Sequence, residues 1–376
     1  MMNPKPELPA EAVAALARGS KIEAIKAVRE ASHVGLKEAK QIVEDYVDRH
    51  PAMKSRMAAA NAQSAQGVLK WLAVIAVAIL LIALLASRAA TGADRDTGRR
   101  QFLEHDGLRR SYVVVAPAAA ASRQAKLPLV IVLHGGGGNA ANAERMTGFS
   151  AKAREEGFLV AYPEGTGRFQ DKLLTWNAGH CCGLAMTRHV DDVGFIAALI
   201  DRLAKDHPVD PRRIYATGMS NGGMMTHRLG RELPHRLAAI APVVATLFGD
   251  EMRPPQAVSA LMINGGLDKS VPPQGGPPGG RFPGAWDGTP AKPVLAQGAY
   301  WAGVNGCEGD PARSEQGTLI QWRYRCPAGR GVEIFLVGDT GHAWPGGLAG
   351  SNRGDAPGTT LDATTVIWDF FKAHPK

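Results

Sequence analysis

Cysteine is scarce in this chain: four residues in 376, none of them before Cys181. So few cannot build a disulfide scaffold. A dense Lys/Arg block is also absent. The net charge of +8 divides into +3 over residues 1–70 (11 basic, 8 acidic) and +5 over 71–376 (32 basic, 27 acidic). A basic excess spread in this way describes a solvated surface, and with no stripe or module it speaks against nucleic-acid binding. Glycine is plentiful at 44 residues but has no three-residue period, which excludes collagen. Disorder is excluded by a hydrophobic fraction of 45%. The most local absence is of charge: residues 71–87 carry none.

That uncharged run is WLAVIAVAILLIALLAS, preceded by Val68 and Leu69. It is apolar on every face and long enough for a helix to cross the hydrocarbon core. It predicts a transmembrane helix over 67–87, meeting the membrane through 68–87. Ser87-Arg88-Ala89 is a passable signal-peptidase site, but residues 1–70 precede the run, so an uncleaved anchor is expected. Flanking charge is nearly balanced: Lys54, Arg56 and Lys70 stand on one side, Arg88, Arg95, Arg99 and Arg100 on the other. All four cysteines follow the span, which suits an oxidising compartment there. The expectation is a single-pass inner-membrane protein. Its large C-terminal region would be periplasmic or extracellular, or secreted if cleaved near Ala89.

The domain plan expected is a helical hairpin over 1–50, a linker over 51–66, the span over 67–87, a linker over 88–100 and a large domain over 101–376. In the first segment Ile22, Ile25 and Val28 share one helical face, and Leu36, Ala39, Ile42 and Val43 another. Lys21–Glu44, KIEAIKAVREASHVGLKEAK followed by QIVE, resembles the helical hairpin of the ribosomal stalk protein's C-terminal domain. In that family the hairpin engages translation factors. The resemblance is too short to carry ribosomal function, so a cytosolic interaction site with an unnamed partner is expected.

From residue 101 apolar runs of strand length alternate with helical stretches. Strands are predicted at 111–115, 129–133, 159–162, 214–217, 238–243, 260–264 and 332–336. Helices are predicted at 142–156, 193–206, 221–232, 294–304 and 363–374. Continuous apolar strands separated by helices predict an α/β fold, a mostly parallel sheet with helices on both faces. Active sites in such folds lie at the carboxyl ends of strands.

The predicted strand ending at Thr217 runs into Gly218-Met219-Ser220-Asn221-Gly222-Gly223 and then a helix. This is G-x-S-x-G in strand–turn–helix context, a turn that lifts the serine hydroxyl clear of the sheet. A serine nucleophile needs a base and an orienting carboxylate, in the chain order Ser, Asp or Glu, His. His342, on the Gly-rich stretch after strand 332–336, suits the base better than His227, His235 or His374. Asp268, following strand 260–264, is favoured over Asp250 and Asp287 as the carboxylate. His134-Gly135-Gly136-Gly137-Gly138-Asn139 follows strand 129–133. The N–H groups of Gly135, Gly136 and Gly137, with that of Asn221, are the expected oxyanion hole. No Lys-Ser/Thr pair follows the glycines, so a phosphate loop is unsupported.

Taken in order, these motifs with Thr175–Gly179, Val190–Phe195 and Gly341–Gly347 resemble the polyhydroxybutyrate depolymerase and feruloyl esterase family of α/β-hydrolases. The resemblance implies an α/β-hydrolase fold over 101–376, with Ser220 as nucleophile, His342 as base and Asp268 as orienting acid. It implies a serine esterase acting on a polyester or other ester substrate without metal or organic cofactor. A feruloyl or acetyl-xylan type carbohydrate esterase is the alternative. A membrane-tethered interaction protein with an inactive hydrolase domain is a reading of another class.

The remaining features have plainer readings. Asp191 and Asp192 read as an N-cap with dipole stabilisation of the next helix. Trp176 and Trp344 are expected to line a substrate pocket, with Trp286 in a Gly/Pro-rich loop. Cys307 and Cys326 would pair as a disulfide around 308–325. Adjacent Cys181 and Cys182 read as a vicinal disulfide or buried thiols, and with His180 offer only a poor metal cluster. Arg353-Gly354-Asp355 reads as an ordinary turn.

Overall fold

The computed structural model describes residues 8–59, 98 and 100–376, except 122–123, 170, 280–282 and 352–353. The predicted span over 67–87 and most of its flanking linkers lie outside the described residues. No described helix is long and apolar enough to cross a membrane. The chain divides into two compact units, 1–96 and 97–376.

In the first unit three helices appear where a hairpin is expected: α1 (Ala10–Ala17), α2 (Lys21–Ser32) and α3 (Leu36–Arg49). Ser20 caps α2, its hydroxyl accepting the N–H of Glu23. Leu16, Ala24, Val28, Ala39 and Val43 form a small core. The apolar faces read from periodicity are corrected in part. Ile22 is 82% exposed and Leu36 62%, because the alanines, not these two, occupy the helix crossings. Residues 51–59, expected as linker, are helical. Their Ala, Met, Lys and Arg are good helix formers, which explains the difference.

The second unit is built on one ten-stranded sheet in the order β1-β2-β4-β3-β5-β6-β7-β10-β9-β8. The middle six strands are parallel: β4 (Leu159–Pro163), β3 (Leu127–Leu133), β5 (Val209–Met219), β6 (Ala239–Val243), β7 (Ser259–Gly265) and β10 (Val332–Val337). Antiparallel hairpins close both edges, β1 (Arg100–His105) with β2 (Leu108–Val115), and β8 (Glu308–Gln316) with β9 (Leu319–Arg325). β3, β4, β6 and β7 are buried at every residue, as a sheet covered on both faces requires.

Helices cover each face. α7 (Asp192–Asp206), α8 (Asn221–Glu232) and α9 (Val294–Asn305) bury Phe195, Leu199, Leu229 and Trp301 on one side. On the other, α4 (Ala140–Thr147), α5 (Phe149–Glu156) and α10 (Ala363–Ala373) bury Met146, Phe149, Ile367 and Phe371. A short helix, α6 (Gly183–Thr187), precedes α7. The single helix expected over 142–156 is two, because Gly148, at φ 68°, caps α4 in the left-handed conformation.

Candidate active site

Four loops meet at the carboxyl ends of parallel strands. Ser220 follows β5, Asp268 follows β7, His342 follows β10 and Gly135–Gly138 follow β3. Ser220 stands at φ 55°, ψ −124°, a strained conformation for a residue with a side chain. Its N–H donates to the Val243 carbonyl (2.9 Å) and its carbonyl accepts from Met224 (2.8 Å), so the turn is held from both sides. Glycine is required around it: a Cβ on Gly222 would lie 2.4 Å from the His134 carbonyl oxygen, and one on Gly218 would lie 2.6 Å from that of Gly222. α8 therefore passes directly against the β3 exit.

The structure brings together the serine, histidine and aspartate singled out from the sequence. Asp268 is buried, and its Oδ1 accepts the N–H groups of Ser270 and Val271, both at 2.8 Å. Oδ2 is left to face His342 Nδ1 at 2.8 Å. A carboxylate on Nδ1 places the ring proton there, which leaves Nε2 as an acceptor. Nε2 lies 2.8 Å from Ser220 Oγ. The arrangement can take the hydroxyl proton as the oxygen attacks an electrophile.

Ordinary structural roles account for four of the rival residues. His227 is buried between Gln297 Oε1 (3.2 Å) and the Trp301 indole N–H (3.0 Å). Burial pushes it down to about 3. Asp250 and Asp287 both bind His180, at 2.8 and 2.6 Å. Burial disfavours charge on His180, but the two carboxylates outweigh it and raise its pKa. His374 binds the Phe370 carbonyl at 2.7 Å.

Within the glycine-rich loop one expected donor is corrected. The N–H of Gly137 donates to the Leu174 carbonyl (2.8 Å), and that of Gly138 to Gly135 (3.0 Å). Gly135 and Gly136 are the two that flank the nucleophile: Cβ atoms built on them would lie 3.6 Å from the Ser220 and Asn221 Cβ atoms. Their amides and that of Asn221 remain as donors for an oxyanion. His134 fixes the loop. Its Nε2 accepts the Gly165 N–H at 3.0 Å, so Nδ1 carries the proton and donates to the Gly135 carbonyl at 2.8 Å. Burial depresses its pKa to about 4, which keeps the ring neutral.

Trp176 and Trp344, expected to line a substrate pocket, are both buried in the core. The Trp176 indole donates to the His134 carbonyl (3.0 Å), and the Trp344 indole to Thr364 Oγ1 (3.0 Å). Trp286 is half-buried against Phe248. Cys307 pairs with Cys326, and Cys181 with Cys182. No metal-binding group of acids, histidines and cysteines occurs among the described residues.

Asp191 caps α7 as its sequence position predicts, accepting the Gly194 N–H at 2.9 Å. Asp192 has a role that sequence reasoning missed. It is buried, pairs with Arg110 at 2.7 Å and accepts the Asn177 N–H at 2.8 Å. This ion pair holds the segment that carries Trp176 under the site. Its partner is 82 residues away, so only the paired aspartates hinted at it.

Comparison with known proteins agrees with this geometry. The family model described as Esterase PHB depolymerase matches residues 110–272. A second model, Ribosomal protein L7/L12 C-terminal domain, matches residues 13–72. A Nocardia uniformis subsp. tsuyamanensis protein named as an esterase, NocK, is 31% identical over 68% of this chain and 76% of its own length. Feruloyl esterase B of Piromyces equi is 30% identical over 64% of this chain and 44% of its own. Poly(3-hydroxyalkanoate) depolymerase C of Paucimonas lemoignei is 29% identical over 48% and 38%. The chain thus spans three quarters of the first relative and less than half of the other two. It belongs to the PHB depolymerase family of esterases and is a carboxylic ester hydrolase.

Proposed function

We propose that Ser220, His342 and Asp268 hydrolyse esters through an acyl-serine intermediate, and that the substrate class is a hydroxyalkanoate polyester or its oligomers. Ser220 Oγ attacks the ester carbonyl while His342 Nε2 takes its proton. Asp268, held by two backbone amides, keeps the imidazole in the tautomer this requires and favours its protonated form. The amides of Gly135, Gly136 and Asn221 stabilise the oxyanion. The protonated His342 then gives its proton to the leaving alcohol, and the acyl group stays on Ser220. In the second step His342 draws a proton from water, which attacks the acyl carbon. The acid leaves and Ser220 is regenerated.

One observation carries the chemistry: the unbroken line from Ser220 Oγ through His342 to Asp268, each link 2.8 Å. The family model's description and the relative named a poly(3-hydroxyalkanoate) depolymerase support the polyester reading. The feruloyl esterase aligns over more of this chain and supports an aryl ester on carbohydrate as the second reading. Purified full-length protein, offered poly(3-hydroxybutyrate) oligomers, methyl ferulate and acetylated xylan, separates them by kcat/KM. A serine-directed fluorophosphonate should label Ser220; a folded sample that resists it would favour a binding protein instead.

The uncharged run 71–87 supports an anchored reading, with the hydrolase unit on the periplasmic or extracellular side. The test is a reporter fused after Lys376. Activity in the cytoplasm instead of the periplasm overturns the orientation.

A further inference from the structure

Asp355 closes the Arg-Gly-Asp tripeptide that reads from sequence as a turn. In the structure its Oδ2 accepts the backbone N–H of His342 at 2.6 Å. The same carboxylate packs on Gly341, where a Cβ would lie 2.3 Å from Oδ2 and 3.0 Å from the Asp355 Cβ. No residue with a side chain fits at 341 while Asp355 occupies this position.

The loop that carries Asp355 is braced at both ends. Asp339, just after β10, accepts the N–H groups of Thr359 (2.9 Å) and Thr360 (3.1 Å). At the other end the Gly350 carbonyl accepts from Asn142 Nδ2 at 2.6 Å. Asp355 itself is exposed. An exposed carboxylate on a braced loop, bonded to the main chain of His342, is more than turn geometry requires.

Three groups bond His342 among the described residues. Asp268 holds Nδ1, Ser220 meets Nε2, and Asp355 holds the peptide from which the ring hangs. We infer that Asp355 is a positioning residue that fixes the His342 main chain and so aims Nε2 at Ser220. This rests on the proposed role of His342 as general base.

The test compares Asp355→Ala and Asp355→Asn in the full-length protein, with Ser220→Ala and His342→Ala as controls, on a neutral short p-nitrophenyl ester. Asp355→Ala should lower kcat about tenfold with KM within twofold, as loss of aim and not of binding. Asp355→Asn keeps an acceptor oxygen and should recover most of kcat. If Asp355→Ala keeps kcat within twofold of wild type, the inference fails. It fails equally if Asp355→Asn restores none of the lost kcat. Should Asp355→Ala not fold, Gly341→Ala, whose Cβ displaces the same carboxylate, decides by the same limits on kcat and KM. Activity retained by the control variants would instead overturn the catalytic assignment itself, so the two failures are distinct.

Discussion

The side chain of Asn221 grips the main chain of Trp176 at both polar groups. Its Oδ1 accepts the Trp176 N–H at 2.7 Å and its Nδ2 donates to the Trp176 carbonyl at 2.9 Å. The Trp176 indole in turn donates to the His134 carbonyl at 3.0 Å. One residue after the nucleophile thus joins α8, the 175–177 segment and the glycine-rich loop. Its side chain thereby holds the segment that packs behind the glycine-rich loop.

Asn221→Ala should therefore harm more than an ordinary helix-start substitution. It leaves the Trp176 N–H buried without an acceptor, which costs about 1–3 kcal/mol, while the carbonyl keeps the N–H groups of Ala178 and Cys182. Urea denaturation reads the stability, and kcat should fall at least tenfold as the loop loses its brace. Wild-type stability in this variant would show that the grip contributes nothing.

Removing members of the catalytic line should act on turnover and not on folding. Ser220→Ala should reduce kcat for a short p-nitrophenyl ester by roughly a thousandfold or more, with an unchanged melting temperature. Asp268→Asn should favour the wrong tautomer of His342 and lower kcat by a similar order. Near-normal turnover in either variant refutes the assignment.

Two buried neutral histidines make the fold sensitive to acid. Burial depresses His134 to about 4 and His227 to about 3, against about 6.5 in the unfolded chain. Below pH 6.5 the unfolded state takes up protons that the folded state refuses. Stability is thus fully present above about 6.5 and is lost as pH falls toward the folded values. For His134 alone the loss is on the order of 3 kcal/mol. Unfolding free energy measured at pH 7, 5.5 and 4.5 should decline steadily. His134→Gln and His227→Gln should each flatten the curve.

The Cys307–Cys326 bridge spans 19 positions and ties the end of α9 to the end of β9. A loop of that length is worth about 3 kcal/mol when closed. Cys307→Ser with Cys326→Ser should lower the unfolding free energy by about that amount and leave KM unchanged, because both residues lie away from the four catalytic loops. An altered KM would connect the edge hairpin to the site.

The buried parallel strands were readable because each is a continuous apolar run: Leu127–Leu133 and Ser259–Gly265 have no exposed residue. β1, β8 and β9 were not. β8, EGDPARSEQ, is exposed at all but one position and has no hydrophobic signal to find. Ser220, Asp268 and His342 were legible because strand–turn–helix context and chain order constrain them. The two tryptophans misled because residue type indicates an aromatic near the site but not its depth. Nothing local in the sequence announces that Asp355 reaches His342 or that Asn221 reaches Trp176. Those contacts exist only once distant loops are brought together.

The two outer strands also shape how the molecule meets its own copies. β1 and β8 each leave one side of the sheet unpaired. β8 carries Glu308, Asp310, Pro311, Arg313 and Glu315, a proline and mostly acidic charges that disfavour a second strand beside it. The hydrolase unit can therefore be concentrated, on a surface or in a tube, without its sheet growing from one molecule into the next along that edge.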